Sequence, residues 1–166
     1  MGIFEIEDVS LPLHPNCKCE CIPIGCAKIK DLPGMRIHPI TKEEKMHYGT
    51  DFSAPEGTPI HSIDDGVVSK SGAESKDLTK GFGYRVTIGT NYGRAVYGHM
   101  NEHPLVNVGD KVQKGDLLGY VGNTGTGTGN HLHYEKRGKN HELIMPTKED
   151  LKSLLDDLNQ HCPEKI

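Results

Sequence analysis

The stretch Tyr84-Arg-Val-Thr-Ile-Gly-Thr-Asn-Tyr-Gly-Arg-Ala-Val-Tyr-Gly-His99 decides the fold class. It contains two short runs of β-type residues joined by a Gly-containing turn, and Val86 alternates with Ile88 on one strand face. Similar runs, separated by Gly-rich turns, are Pro59–Ile63, Gly66–Lys70, Tyr84–Ile88, Arg94–His99, Leu117–Val121 and His131–Lys136. Strands this short at regular spacing predict a mainly β protein with an antiparallel sheet or sandwich. Within these runs we predict that Val67, Val68, Leu117 and Leu118 are buried.

Length and composition bound the functional classes. The 166 residues suit one globular domain with an appendage. A formal charge of −4 and a pI near 6.2 give no basic face for nucleic acid, so we expect no nucleic-acid partner. No apolar stretch is long enough for a membrane span. Residues 1–16 lack the basic start and apolar core of a signal peptide. We expect a monomer.

Residues 1–30 differ from the rest of the chain. Cys17, Cys19, Cys21 and Cys26 are crowded among prolines, without a strand or helix period. This composition predicts an irregular N-terminal arm that can be deleted without unfolding the domain. The cysteines lack the Cys-x2-Cys pairs of a zinc ribbon, so both a metal site and disulfides remain open. Cys162 is remote, and the count of five leaves at least one thiol without a partner in the monomer.

One helix is predicted, after Pro146. Thr147 can cap it, and the acidic Glu149 and Asp150 have the favourable sign for a first turn. Its apolar stripe follows the spacing i, i+3, i+4, i+7 and comprises Leu151, Leu154, Leu155 and Leu158. The predicted organisation is therefore an arm at 1–30, a domain at 31–146 and a C-terminal helix and tail at 147–166.

Three local patterns carry candidate chemistry. His47-Tyr-Gly-Thr-Asp51 offers a histidine and a carboxylate, both ligand types that zinc accepts. His131-Leu-His133 places two imidazoles on one face of a strand, because alternate residues of a strand point the same way. Tyr97-Gly-His99-Met closes a β-type run. Each pattern alone is also compatible with ordinary surface residues. The remaining histidines are predicted to be solvated surface residues: His14, His61, His103, His141 and His161.

Together these segments resemble the lysostaphin-type (LytM-like) zinc metallopeptidases from about Gly34 to Pro146. The blocks that carry the resemblance, in order, are Met35-Arg-Ile-His-Pro-Ile-Thr41, His47-Tyr-Gly-Thr-Asp51-Phe-Ser-Ala-Pro-Glu-Gly-Thr-Pro59, Asp65-Gly-Val-Val68, Tyr97-Gly-His99-Met, Val108-Gly-Asp-Lys-Val-Gln-Lys-Gly115, Gly119-Tyr-Val-Gly-Asn-Thr-Gly125 and Gly129-Asn-His-Leu-His133-Tyr-Glu135. The departures are mild: Gly98 and Met100 differ from the family's Tyr-Ala-His-Leu, and Asn130 replaces its usual proline. The resemblance implies the family's antiparallel β core, a duplicated hybrid motif.

The resemblance also implies a site. His47, Asp51 and His133 correspond to the ligands of one Zn²⁺ per chain, which leaves a fourth position open for water. His131 and His99 correspond to two catalytic histidines that assist the zinc-activated water. One acts as the base, a role that the family assigns chiefly to His131, and the other stabilises the oxyanion and helps the amine leave.

The same resemblance implies an endopeptidase that hydrolyses peptide cross-links of bacterial peptidoglycan, with its stem peptides as substrate. Arg36 and His38 lie in the entry loop; an arginine there could clamp a substrate carboxylate or form a structural ion pair. The Arg-Ile-His-Pro form of this loop is more like enzymes of direct D-alanyl–diaminopimelate cross-links than of pentaglycine bridges. Gly122–Gly129 is predicted to be a flexible loop at the cleft, with a plain long turn as the alternative.

Such an enzyme acts on the cell wall, as an extracellular, periplasmic or virion-associated protein. Leu13–Cys19 resembles the C-terminal tails of phage head-assembly proteins over seven residues, which is compatible with an endolysin. Two other functions fit the sequence less well. A non-catalytic module that activates another wall hydrolase usually lacks ligands that this chain keeps. A sugar-phosphotransfer domain would need neither Asp51 nor the pair His131 and His133.

Overall fold

A seven-stranded antiparallel sheet forms the centre of the computed structural model, which describes residues 26–37, 40–126 and 129–160. The strands of this sheet are β1 (Lys28–Asp31), β4 (Thr50–Ser53), β6 (Gly66–Ala73), β7 (Tyr84–Gly89), β8 (Gly93–Met100), β9 (Lys111–Val112) and β11 (His131–Gly138). Their order in the sheet is β9-β6-β7-β8-β11-β4-β1. The prediction of a mainly β antiparallel fold with one C-terminal helix is confirmed.

Two small antiparallel ribbons accompany this sheet. One is the hairpin of β2 (Gly34–Ile37) and β3 (Glu44–His47), and the other pairs β5 (Pro59–His61) with β10 (Leu117–Tyr120). All six predicted β runs therefore form strands, with ends shifted by one to three residues. The short strands β1 to β4 and β9 were not predicted, because two to four residues carry too little periodicity to be recognised.

The hydrophobic core lies under the central strands. Val86 and Ile88 of β7 are fully buried on one face, as their alternation predicted. Tyr97 of β8 and Tyr134 of β11 are paired directly across the sheet, and their rings meet edge to face at 5.3 Å between centroids. Because side chains alternate along β11, burial of Tyr134 turns the neighbouring odd-numbered residues to the opposite face.

The helix α1 (Lys148–Leu158) begins where the sequence predicted. The Thr147 hydroxyl accepts the Asp150 N–H at 3.0 Å, and the Asp150 carboxylate accepts the Thr147 N–H at 2.9 Å, which forms a capping box. Leu154 and Leu158 are buried in the core, and Leu151 and Leu155 pack against it. None of the helices in the described part of the chain is long and apolar enough to cross a membrane.

Three expectations differ from the structure. Residues 28–30 belong to edge strand β1 rather than to an irregular arm, and the Ala27 N–H donates to Asn159 Oδ1 at 2.7 Å. Val67 is 45% exposed and Leu117 is only half-buried, whereas Val68 and Leu118 are buried, because adjacent residues of a strand face opposite sides. His61 is half-buried rather than solvated, since its backbone N–H and its ring both bond to the Asp157 carboxylate. His103 and His141 are exposed as predicted, and His14 and His161 lie outside the described residues.

Cys26 is the one cysteine within the described residues, and it is disulfide-bonded. Cys26 is therefore part of a disulfide and not of a metal site. The other four cysteines, and the Leu13–Cys19 segment, lie outside the described residues.

Candidate metal centre and catalytic cleft

Two adjacent strands and one hairpin bring the three predicted ligands together. Asp51 of β4 is directly opposite His133 of β11, and His47 ends β3 with only two residues between it and β4. The Asp51 carboxylate spans the other two: Oδ2 lies 3.0 Å from His47 Nε2, and Oδ1 lies 2.7 Å from His133 Nδ1. One ligand atom from each residue lies within 4.8 Å of the other two, a set that could hold a metal ion.

Gly49, between the first two ligands, makes this approach possible. A Cβ at this position would lie 2.5 Å from His133 Nε2 and 2.7 Å from the Tyr134 carbonyl oxygen. Any side chain at position 49 would therefore displace the His133 imidazole. The pattern His-x-Gly-x-Asp thus contains a steric requirement beside its two ligands. His47 and Asp51 do not share a helix face despite their i, i+4 spacing, because the segment consists of a strand, a short link and a second strand.

The hydrogen bonds of the ligand histidines select which nitrogen faces the carboxylate. His47 Nδ1 lies 3.1 Å from the Leu32 carbonyl oxygen, which can only accept, so Nδ1 carries the proton and Nε2 presents its lone pair to Asp51. In His133 the two ring nitrogens have exchanged places: Nε2 lies 2.9 Å from Glu135 Oε2, and Nδ1 faces Asp51. When His133 carries its single ring proton on Nε2, the lone pairs of both imidazoles and the carboxylate oxygens converge on one point.

The charges at this point favour a cation. Burial alone would lower the pKa of His133, but hydrogen bonds to Asp51 and Glu135 raise that pKa to about 9. Burial alone would raise the pKa of Asp51, but the hydrogen bond and charge of His133 hold the pKa below its usual value. Without a metal, a proton on His133 supplies the positive charge. A divalent ion that prefers nitrogen and oxygen ligands fits the same donor set and would displace that proton.

The two predicted catalytic histidines lie side by side next to this cluster. The rings of His99 and His131 are 4.7 Å apart, and His131 Nε2 lies 3.8 Å from Asp51 Oδ1. His99 Nδ1 donates to the Thr124 carbonyl at 2.6 Å, and His131 Nδ1 donates to the Gly129 carbonyl at 2.7 Å. Both residues consequently keep an Nε2 lone pair for a proton.

His99 has two further features typical of functional residues. Its φ of +64° lies in the left-handed region, which is uncommon for a residue with a side chain and is retained where surrounding contacts enforce it. Burial lowers the pKa of His99 to about 4, and the neighbouring His131 adds to the shift. His99 is therefore a neutral hydrogen-bond acceptor across the pH range in which most enzymes work.

A cavity of about 200 Å³ opens beside the histidines. Phe82 lies against two of them, with ring centroids 5.6 Å from His133 and 6.5 Å from His99. The residues that line it are Glu74, Gly81, Phe82, His99, Thr126 and His133. This cavity gives a substrate a place to lie in contact with the candidate site.

The structure thus brings together all five residues predicted as ligands or catalytic groups. Arg36 lies on β2, but its side chain is not among the described features, and His38 lies outside the described residues. Sequence reasoning missed Phe82, Glu135 and Arg137. A signal for the last two was available: they continue the alternation of His131 and His133 along one face of β11.

The predicted cleft loop is described only up to Thr126 and again from Gly129. The first half of this loop is hydrogen-bonded to the segment before β7 and to the end of β8. Thr126 N–H donates to the Gly81 carbonyl at 3.0 Å, and Thr124 Oγ1 donates to the Met100 carbonyl at 2.6 Å. These bonds fix the Thr124 carbonyl on which His99 depends.

Comparison with known proteins agrees with this geometry. Residues 45–146 match peptidase family M23. The chain is 35% identical over 116 residues to the DD-carboxypeptidase/endopeptidase Mpg of Neisseria meningitidis, covering 69% of this chain and 25% of that protein. The chain thus spans about a quarter of the length of this curated relative.

Two solved structures are similar in fold. The catalytic domain of the antimicrobial peptidase lysostaphin from Staphylococcus simulans superposes with a TM-score of 0.59 at 29% identity, covering 70% of this chain and 83% of that one. A zinc containing peptidase from Vibrio cholerae superposes with a TM-score of 0.61 at 30% identity, covering 72% of this chain and 37% of that one.

Proposed function

Because the chain belongs to peptidase family M23, we propose that it is a zinc endopeptidase that hydrolyses peptide cross-links of bacterial peptidoglycan. The observation that carries this proposal is the convergence of three ligand atoms beside two paired histidines. The fold and the relatives support it, since one relative is described as a DD-carboxypeptidase/endopeptidase and one similar structure as a zinc containing peptidase.

In this proposal His47, Asp51 and His133 hold the metal. Two imidazole nitrogens and one carboxylate oxygen are a ligand set that suits zinc and leaves room for a fourth ligand. When bound, zinc acts as a Lewis acid towards the scissile carbonyl and lowers the pKa of a water molecule towards about 7. The low exposure of the three side chains, between 10% and 13%, limits competition from bulk water.

His131 and His99 handle the proton. His131 Nε2 faces the metal-binding carboxylate with its lone pair and takes the proton from the attacking water as general base. The same atom can then donate that proton to the leaving amine nitrogen. His99 Nε2 lies beside this path as a neutral acceptor in the free protein, and a proton taken up from solvent as negative charge develops on the substrate would let the same atom donate to the oxyanion. The backbone carbonyls of Thr124 and Gly129 keep both rings oriented by accepting the Nδ1 protons.

For the substrate, we propose the direct D-alanyl–diaminopimelate cross-link, with the enzyme acting at the cell wall. The Arg-Ile-His-Pro form of the entry loop and the similarity to a DD-carboxypeptidase/endopeptidase of Neisseria favour this bond over pentaglycine bridges. Arg36 and His38 are proposed to contact the substrate, with the Arg36 guanidinium binding a carboxylate of the stem peptide.

The test is digestion of purified cell walls. Zinc-loaded protein is incubated with diaminopimelate-type walls and with pentaglycine-bridged walls, and released muropeptides are identified by mass spectrometry. We expect cross-linked dimers of the first wall type to become monomers, and His131→Ala protein to leave both walls intact. Pentaglycine cleavage alone would overturn the substrate proposal. Zinc-loaded protein that binds walls and cuts neither would instead indicate a non-catalytic module.

A further inference from the structure

Glu135 differs from the other groups that orient the four histidines of the site. His47, His99 and His131 each donate a ring proton to a backbone carbonyl, from Leu32, Thr124 and Gly129 respectively. No substitution removes those acceptors. The acceptor for His133 is instead a side chain, Glu135 Oε2, at 2.9 Å from Nε2. One mutable carboxylate therefore controls which nitrogen of His133 faces Asp51.

A role in orienting His133 would explain why the charged side chain of Glu135 is buried. The residue is 7% exposed, and a buried carboxylate is costly unless charged or hydrogen-bonded partners compensate it. Its two oxygens are divided between two partners: Oε2 faces His133, and Oε1 accepts from Arg137 Nε at 3.0 Å. The carboxylate is thus placed between the candidate ligand and a fixed cation.

Arg137 is itself anchored on the other side. Its NH1 donates to the His141 carbonyl at 3.1 Å, and its guanidinium carbon lies 4.9 Å from the centre of the Tyr48 ring. Tyr48 belongs to the short link between His47 and Asp51. The guanidinium therefore connects the strand that carries His133 to the link that carries the other two ligands.

The alternation of side chains along β11 places these residues next to one another. His131, His133, Glu135 and Arg137 alternate along one strand and share one face, while Leu132 and Tyr134 enter the core. A single strand face thus presents, in order, a proton-transfer group, a ligand, an anion and a cation.

We propose that Glu135 is a positioning residue for the metal ligand His133, and that Arg137 holds Glu135 in place. This inference rests on the proposed zinc site and adds a residue to it. By accepting the Nε2 proton, Glu135 leaves the Nδ1 lone pair facing Asp51 Oδ1, and it makes the imidazole a stronger electron donor. Without Glu135, the ring can turn or exchange its proton position, and the ligand set loses its geometry.

Zinc affinity tests the proposal without relying on activity. Metal-free parent and variant proteins are titrated with zinc in competition with a chelating dye of known affinity. We expect Glu135→Ala to bind zinc about 10–100-fold more weakly, the usual effect of losing a partner of a metal-binding histidine. Glu135→Gln should lie between parent and Ala, because its single carbonyl oxygen can serve His133 or Arg137 but not both. Arg137→Met should give a smaller loss than Glu135→Ala.

The matched control is Glu149→Gln, the same chemical change on the exposed first turn of α1. It should bind zinc as the parent does. Equal zinc affinities of the parent and a folded Glu135→Ala protein would overturn the proposal. Failure of the parent to bind zinc would refute the proposed zinc site instead, so the two failures are distinguishable.

A second readout uses the zinc-loaded parent and needs no variant. In protein with ¹⁵N-labelled histidine, NMR should show that the remaining ring proton of His133 is on Nε2 and exchanges slowly with water. A ring proton on Nδ1 would overturn the proposal even if Glu135→Ala cannot be folded. In a folded Glu135→Ala protein, this proton should exchange faster while the ring protons of His99 and His131 are unchanged.

Discussion

Asp51 on β4 stands directly opposite His133 on β11, and its Oδ1 lies 2.7 Å from Nδ1 of that imidazole. Because the two strands are hydrogen-bonded neighbours, the sheet itself sets this distance. His47 comes from the separate β2–β3 hairpin. A rigid pair and a third ligand from a separate hairpin define the candidate metal centre.

Removing any one ligand should remove zinc. Each of His47→Ala, Asp51→Ala and His133→Ala takes one donor from a three-residue set, and binding of the metal depends on all three. We expect less than stoichiometric zinc and no muropeptide release, measured by metal analysis after dialysis and by wall digestion. Asp64→Ala is a control carboxylate outside the cluster. Full zinc in the Asp51→Ala protein would refute the ligand assignment.

His131→Ala should separate metal binding from catalysis. The His131 ring is not part of the ligand set, so zinc should remain at one equivalent. Turnover of cross-linked muropeptides should fall by roughly 10² or more, the scale of a lost general base. Metal content and initial rates are measured on the same preparation. A zinc-free His131→Ala protein would mean that His131 is a ligand and that its role and that of His133 are reversed.

Gly49→Ala should disturb the site by sterics alone. Its Cβ would lie 2.5 Å from His133 Nε2 and 2.7 Å from the Tyr134 carbonyl, so the ring or the strand must move. Overpacking of this kind costs about 1–3 kcal/mol, which thermal unfolding of the metal-free protein would detect. The control is Gly89→Ala, where a Cβ would lie at an ordinary 3.5 Å from the Val67 carbonyl oxygen. Equal stability of the two variants would contradict the predicted clash.

The His61–Asp157 contact should make stability depend on pH. The hydrogen bond from His61 to Asp157 raises the pKa of His61 above its usual value, although burial opposes this shift. A raised folded-state pKa means that the contribution to stability is fully present below about pH 6.5, the unfolded pKa, and is lost as pH rises through the folded pKa. The melting temperature of the parent should therefore exceed that of His61→Gln by more at pH 6 than at pH 9.

The difference between the two proteins isolates His61, because other titrating groups are common to both. In an Asp157→Asn background, the His61→Gln change should no longer produce a pH-dependent difference in melting temperature. Loss of the Asp157 hydrogen bonds should itself lower the free energy of unfolding by about 1–3 kcal/mol. A parent-minus-variant difference that is constant from pH 6 to 9 would contradict the prediction.

Truncation should locate the N-terminal edge of the domain. Deletion of residues 1–30, predicted from sequence to be harmless, would remove most of β1 and the Ala27–Asn159 contacts. We now expect this deletion to lower the melting temperature relative to a deletion of residues 1–25, which keeps those contacts. Both are measured under reducing conditions so that the Cys26 disulfide does not contribute. Equal melting temperatures would restore the boundary at residue 31.

The sequence alone determined the fold class and the chemistry of the site. Alternation in the β runs indicated an antiparallel β protein, and Thr147 with the leucine stripe located the helix, because these are local signals with a period of a few residues. The segments around His47, Asp51 and His133 contain residue types that zinc accepts, and the family resemblance implied that these three are ligands. The burial of His61 and the edge strand β1 escaped detection, because His61 bonds to a residue 96 positions away and β1 pairs with residues 20 to 25 positions away.

Only the tertiary structure decided which atoms meet. The pairing of β4 with β11 sets Asp51 against His133, and the carbonyls of Leu32, Thr124 and Gly129 choose the protonated nitrogen of three imidazoles. Backbone carbonyls are identical at every position of a sequence, so no pattern of side chains can reveal which of them will accept a given proton. The roles of Glu135 and Gly49 have the same origin: they depend on distances of 2.5 to 2.9 Å to His133, which exist only once the strands have paired.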